Sequence, residues 1–182
     1  MLDRLRRLLV AARDGLDGLL HARRRRRAAE RLAALAPGTI LFLCLGNICR
    51  SPYAARVLAA RAGARVRAES GGYLGPGRAP PSEAQQIARS RGIDHADHVS
   101  ALVTTEQIAA ADVVFVFDRF NVANVKSTPG ARLDRVLWLG DFDPVWTGKR
   151  AIIDPWGKPL TEYEATFVRI ERCIDEVIRA LA

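Results

Sequence analysis

Cys44 and Arg50 stand six positions apart in Cys44-Leu45-Gly46-Asn47-Ile48-Cys49-Arg50-Ser51-Pro52, a nucleophile and an anion holder within reach of one ligand. A thiol beside a cation and a helix N-terminus is expected to ionise near neutral pH, because both favour the thiolate. Arginine offers a planar fork of donors that matches two oxygens of a phosphate. Ser51 can donate its hydroxyl to the thiolate, and Asn47 can hold the loop with its amide. Cysteine, five residues and arginine are what phosphate-monoester cleavage through a thiophosphate intermediate needs. An inert core cysteine is the commoner fate of a thiol after an apolar strand. That reading leaves Asn47, Arg50 and Ser51 without a purpose.

The elements around this run fit such a site. Residues 40–43 are a short apolar run of the kind a buried parallel strand needs. Gly46 and Asn47 tolerate the left-handed backbone of a tight loop. Ser51 reads as a helix cap and Pro52 as a first helical residue, with the helix running on through Ala54, Val57, Leu58 and Ala59. Strand, loop and helix N-terminus together make an anion cradle, in which loop N–H groups and the helix dipole favour negative charge. Further strands are predicted over residues 64–69, 113–117 and 135–139, and helices over 82–91 and from Thr104. Thr161 and Glu164 form a predicted capping box. Phe167, Ile170, Ile174, Val177, Ile178 and Leu181 form the buried stripe of a last helix, with Cys173 beside it as core. Strands alternating with helices argue for a parallel sheet covered on both faces.

Taken whole, residues 44–52 closely resemble the signature loop of the low-molecular-weight protein tyrosine phosphatases, and the resemblance extends over residues 39–182. It implies an α/β fold: a three-layer α/β/α sandwich with a four-stranded parallel sheet and an N-terminal phosphate-binding loop, needing no metal and no organic cofactor. Larger tyrosine and dual-specificity phosphatases place the acid before a late cysteine. Here the cysteine comes first, so the acid is sought downstream. A leaving phenol must take up a proton as the P–O bond breaks, and a carboxylic acid on a mobile loop can deliver it. In the family an Asp-Pro followed by an aromatic has this role, and Asp154-Pro155-Trp156 fits; Asp143-Pro144 is a decoy lacking the aromatic and glycine.

The resemblance thus makes Cys44, Arg50 and Asp154 catalytic, with Leu45, Gly46, Asn47, Ile48, Cys49 and Ser51 binding phosphate or supporting the loop. Trp156 offers a face for stacking on a substrate ring, and Tyr73 or Leu74 is expected to supply the facing wall. Asp118 either buttresses the phosphate loop or caps a helix. His98 is structural, since this chemistry needs no histidine. The related arginine phosphatases carry threonine where Ile48 stands, so isoleucine favours an aryl phosphate.

The function implied is hydrolysis of phosphotyrosine on proteins, and many bacterial relatives act on tyrosine kinases of polysaccharide export. Arsenate reductase of the same fold is the enzymatic alternative, but it needs a relay of further cysteines in a mobile segment. Residues 104–135 hold none, and Cys173 is a poor substitute. A non-catalytic phosphotyrosine-binding module would be expected to lose Cys44, Arg50 or Asp154, and all three are present.

Composition sets the outer bounds. The 182 residues suffice for one domain with a proper core. No apolar run approaches the roughly 20 residues that a membrane span needs. Three cysteines are too few for a disulfide scaffold, and a required thiolate points to a reducing, cytoplasmic compartment. The net charge of +8 is uneven: residues 1–36 hold ten arginines against four acids. The boundary is therefore drawn between a basic helical extension, 1–36, and a phosphatase domain, 37–182. Two helices are expected in the extension, over 2–20 and 22–36. The first has an apolar stripe of Leu2, Leu5, Leu9, Ala12, Leu16 and Leu19; in the second, Arg23 to Arg27 go all the way round. Its apolar run is too short for a secretory signal, and it lacks the serine of a mitochondrial presequence. Three readings stay open for it: peripheral contact with anionic lipid at the inner membrane surface, self-association, or a misassigned start leaving it disordered. No specific nucleic-acid partner is implied.

Overall fold

The computed structural model describes residues 2–182, and side chains from Leu19 onward. Four parallel strands, β1 (Thr39–Leu43), β2 (Arg67–Gly71), β3 (Val113–Val116) and β4 (Val136–Trp138), form one sheet in the order β2-β1-β3-β4. Among the described residues six α-helices accompany it: α1 (Leu2–Leu35), α2 (Arg50–Ala62), α3 (Ser82–Ser90), α4 (Thr105–Ala110), α5 (Arg119–Ser127) and α6 (Leu160–Ala180). Strand residues alternate between two cores, as the two-residue period requires. Ile40, Phe42, Val113 and Phe115 face one core, shared with α2, α3 and α6. Leu41, Leu43, Val114 and Val116 face the other, with Ile108 of α4 and Val125 of α5. The molecule is a three-layer α/β/α sandwich. The chain leaves β1 for β2 on one side and later returns to β3 on the other. The crevice at the carboxyl ends of β1 and β3 is therefore the switch point where such sheets bind ligands.

Several local expectations are corrected. β2 starts later than predicted, because a 3-10 turn, Gly63–Arg65, occupies its expected beginning. β4 is shorter than predicted and is flanked by two 3-10 turns. Helix α2 starts at Arg50, so Ser51 lies inside its first turn and caps nothing. Thr161 likewise lies inside α6, which begins at Leu160 with no side-chain cap. The capping box that does form is Thr104 with Gln107, at the start of α4.

The two helices expected before residue 37 are one, α1. Ala28 and Leu32 belong to the larger core, so packing crosses the boundary drawn at residue 37. The arginine run is unevenly used: Arg25 pairs with Glu176 of α6 at 2.9 Å, while Arg23, Arg26 and Arg27 are exposed. The predicted stripe from Leu2 to Leu16 lies outside the described side chains, and Leu19 is exposed. Among the described residues, no helix is long and apolar enough to cross a membrane.

His95 is buried edge-on between Tyr53 and Phe167, and neither ring nitrogen has a partner. Burial lowers its pKa from the usual 6.5 to about 4; His98 and Arg56 push the same way, while Asp94 and Asp97 oppose. Between those two values the unfolded chain binds more protons than the folded one, so stability falls as pH falls through that window. The urea midpoint is expected to be lower at about pH 5 than at about pH 7, with His95→Phe removing most of the difference. An equal drop in both proteins would place the effect elsewhere.

Candidate active site

β1 delivers Cys44 to the crevice, where it is nearly inaccessible at 3% exposure. Its Sγ accepts the Asn47 backbone N–H at 3.2 Å and lies 3.1 Å from the Ser51 hydroxyl. That hydroxyl has one proton to give, with the Gly71 carbonyl a more distant acceptor at 3.3 Å. It also accepts from Asn47 Nδ2 at 3.0 Å, which leaves its proton free to point at sulfur. The Ser51 hydroxyl is thus engaged by Cys44 and Asn47, and this is why it is unavailable as a cap.

Asn47 shapes the loop. It takes the left-handed conformation with φ 51°, which asparagine tolerates. Its amide also donates to Ser70 Oγ at 3.0 Å and accepts from the Ala101 N–H at 2.9 Å. Its carbonyl accepts from His98 Nε2 at 2.8 Å, so His98 is a structural partner of the loop. Gly72 packs directly beneath: a Cβ there would stand 2.8 to 3.0 Å from Asn47 and the Leu45 carbonyl.

Arg50 enters from the first turn of α2 and is 1% exposed. It donates to Asp118 at 2.7 Å, to the Ile152 carbonyl at 3.1 Å and to Asp154 at 2.5 Å. Burial would push its pKa down, but Cys44, Asp154 and Asp118 together raise it, so the guanidinium stays charged. Its Nε is buried without a partner, a donor left over for an oxyanion. Asp118 does both things expected of it: one oxygen holds Arg50, and the other accepts the Asn121 N–H at 2.9 Å to cap α5.

A cavity of about 170 Å³ opens above the sulfur, lined by Cys44, Leu45, Gly46, Ile48, Cys49, Leu74, Arg78, Asp154 and Trp156. Cys44 thus shares one hollow with Asp154 and Trp156, which lie more than a hundred residues further along the chain. A second hollow of about 560 Å³ lies between residues 147–153 and α6, away from the cysteine. Cys49 also lines the small cavity, but burial, then the charges of Asp154 and Cys44, push its thiol pKa up, so it stays protonated. Cys173 is core, and Asp143 is fully buried against Arg169 and Arg172, away from the cavity. Among the described residues, no group of three or more His, Cys, Asp and Glu is placed to hold a metal.

Two details differ from the sequence reading. Tyr73 is not a wall of the cavity: its ring packs against the Leu41 and Val114 core, so Leu74 takes that place. Arg78 was missed. Its Nη2 donates to the Gly46 carbonyl at 2.8 Å and its Nε to the Gly75 carbonyl at 3.0 Å, which fixes a cation at the cavity rim. An arginine directly after Gly75-Pro76-Gly77, a few residues past the loop's packing partner Gly72, was the available signal.

Residues 39–182 match the family described as low molecular weight phosphotyrosine protein phosphatase. The probable low molecular weight protein-tyrosine-phosphatase EpsP of Ralstonia nicotianae is 33% identical over 138 residues, 75% of this chain and 91% of that protein. The crystal structure of the Erwinia amylovora tyrosine phosphatase AmsI has a TM-score of 0.73 and 26% identity, covering 80% of this chain and 94% of its own. The YwlE arginine phosphatase from Geobacillus stearothermophilus has a TM-score of 0.69 and 31% identity, covering 79% and 92%.

Proposed function

The chain belongs to the low molecular weight phosphotyrosine protein phosphatase family, and on that premise we propose that it hydrolyses phosphotyrosine monoesters on proteins through a cysteinyl-phosphate intermediate. The observation that carries the reading is that Cys44 and Asp154 line one small cavity, with buried Arg50 bonded to Asp154 beside it. Cys44 Sγ attacks phosphorus in line with the departing phenol oxygen. Loop N–H groups and the Arg50 guanidinium, with its unpartnered Nε, hold the equatorial oxygens as charge spreads over them. Asp154 gives its proton to the phenol oxygen as the P–O bond breaks. The resulting carboxylate takes a proton from the water that attacks phosphorus. The S–P bond then breaks, releasing inorganic phosphate and the Cys44 thiolate.

Phosphoarginine is the second reading, favoured by the 31% identity with an arginine phosphatase. Ile48 lines the cavity and speaks for the flat aryl group, since a branched apolar side chain packs on a ring and offers nothing to a guanidinium. Full-length protein is expected to hydrolyse a phosphotyrosyl peptide at least about tenfold faster, by kcat/KM, than the matched phosphoarginyl peptide. The reverse preference would overturn the tyrosine reading.

The protein substrate we infer is a cytoplasmic tyrosine kinase of polysaccharide export. The basic extension is read as a peripheral contact with anionic lipid. At about 1 kcal/mol per arginine near such a surface, exposed Arg23, Arg26 and Arg27 would contribute about 3 kcal/mol before salt screening. Truncation at residue 37 would uncover the core around Ala28 and Leu32, so the test uses full-length protein with these three arginines changed to alanine. Unaltered protein is expected to sediment with anionic vesicles at low salt, and the triple variant less. Equal sedimentation would refute the lipid role, and a doubled mass in solution would favour self-association.

A further inference from the structure

Between Phe142 and Leu160 the chain has no helix or strand, yet it must set Asp154 against the cavity. Its position rests on side-chain ties, and these lead back to α1. His21 is buried, its ring 5.0 Å from that of Trp146, and its Nε2 donates to the Asp143 carbonyl at 2.8 Å. Three residues on, Arg24 lies over the same indole at 5.7 Å and 3.9 Å from the Asp141 carboxylate.

Both acids reach onward to the segment before Asp154. The Asp143 carboxylate accepts from Arg169 Nε at 2.8 Å. The two terminal nitrogens of Arg169 donate to the Lys149 carbonyl at 2.6 Å and the Ala151 carbonyl at 2.8 Å. Asp141 accepts a two-pronged bond from Arg150, at 2.7 and 2.6 Å. Gly140 completes the clamp, for a Cβ there would stand 1.9 Å from the Arg150 carbonyl oxygen. Ile152 is then tied to the Phe117 carbonyl at 2.8 Å and to Arg50 at 3.1 Å.

We propose that His21 and Arg24 are positioning residues for the Asp154 carboxyl: the C-terminal half of α1 braces residues 149–154 through Asp141, Asp143 and Arg169. Both residues lie outside the 39–182 match, so the brace is an addition to the family's domain. It rests on the reading of Asp154 as the acid. A small displacement of an acid group is enough to lower proton delivery without touching nucleophile or phosphate binding.

The test uses full-length His21→Ala and His21→Gln, the latter able to donate an amide N–H to the same carbonyl. kcat/KM is measured on phenyl phosphate, whose basic leaving group needs the acid, and on p-nitrophenyl phosphate, whose leaving group needs it little. His21→Ala is expected to lose about tenfold on the phenyl ester and less than about twofold on the nitrophenyl ester, with His21→Gln restoring most of the loss. In an Asp154→Asn background, His21→Ala should lose nothing selective. The ratio of the two esters within one preparation does not depend on the fraction folded, so a loosened variant still decides. Equal losses on both esters, or none, while Asp154→Asn keeps its selectivity, would overturn the brace alone. If Asp154→Asn itself shows no selectivity, the acid assignment falls and the brace with it.

Discussion

Cys44→Ser is expected to leave no measurable turnover of an aryl phosphate, a loss of at least about a thousandfold, while substrate still binds. The sulfur sits at the base of the cavity with two donors on it, the Asn47 N–H and the Ser51 hydroxyl. A serine oxygen in the same place keeps those partners but remains a neutral hydroxyl, a far weaker nucleophile than a thiolate. Arg50 and the loop N–H groups are untouched, so the phosphate should still be held. Calorimetric titration with a phosphotyrosyl peptide checks the binding, and stopped or continuous assays check the turnover. The same variant can capture the physiological substrate, and recovery of an autophosphorylating kinase would support the partner inferred above. Turnover within tenfold of the unaltered protein would remove Cys44 as the nucleophile.

The loop after β1 was legible because its meaning is local: nine consecutive residues carry the proposed nucleophile, the turn, the proposed anion holder and the helix start. β1 and β3 were legible because strands buried on both faces read as unbroken apolar runs. β2 was placed too early because it is an edge strand. Its Arg67, Glu69 and Ser70 leave little apolar signal, and Val66, apolar and buried, lies just before it. Ser51 and Thr161 misled for another reason. Cap rules describe a side chain free to turn back on the backbone. The Ser51 hydroxyl is taken by Asn47 and Cys44, and α6 begins one residue before Thr161, after Pro159.

What the sequence did not disclose is non-local. Tyr73 and Leu74 are adjacent and both bulky; the bend after β2, where both N–H groups donate to the Leu45 carbonyl, sends the first to the core and the second to the cavity. Arg78 matters through a carbonyl 32 residues away. The arginine run from Arg23 to Arg27 reads from its spacing only as charge all the way round a helix, with no partner named. Arg24 and Arg25 turn inward because Trp146, Asp141 and Glu176 lie beneath them, partners contributed by parts of the chain more than a hundred residues distant.

The two Asp-Pro pairs separate most sharply under substitution. Asp154→Asn should slow hydrolysis of phosphotyrosine by about a hundredfold or more, because the amide has no proton of suitable acidity for the phenol oxygen. Its hydrogen bond from Arg50 can survive through the remaining amide oxygen, so stability should change little. Asp143→Asn removes a fully buried charge that faces both Arg169 and Arg172. Breaking such a pair on one side typically costs 3–5 kcal/mol, and two pairings share this carboxylate, so a loss of about that size is expected, read as a lowered urea midpoint. Turnover should then fall only as far as Arg169 loosens its hold on the Lys149 and Ala151 carbonyls, and to a smaller extent than in Asp154→Asn. Kinetics and unfolding measured on the same preparations give opposite rankings of the two variants. A crippled but stable Asp143→Asn, beside a mild Asp154→Asn, would reverse the assignment of the acid. The geometry argues the other way, because Asp154 lines the cavity beside Cys44 while both oxygens of Asp143 are already committed to arginines on α6.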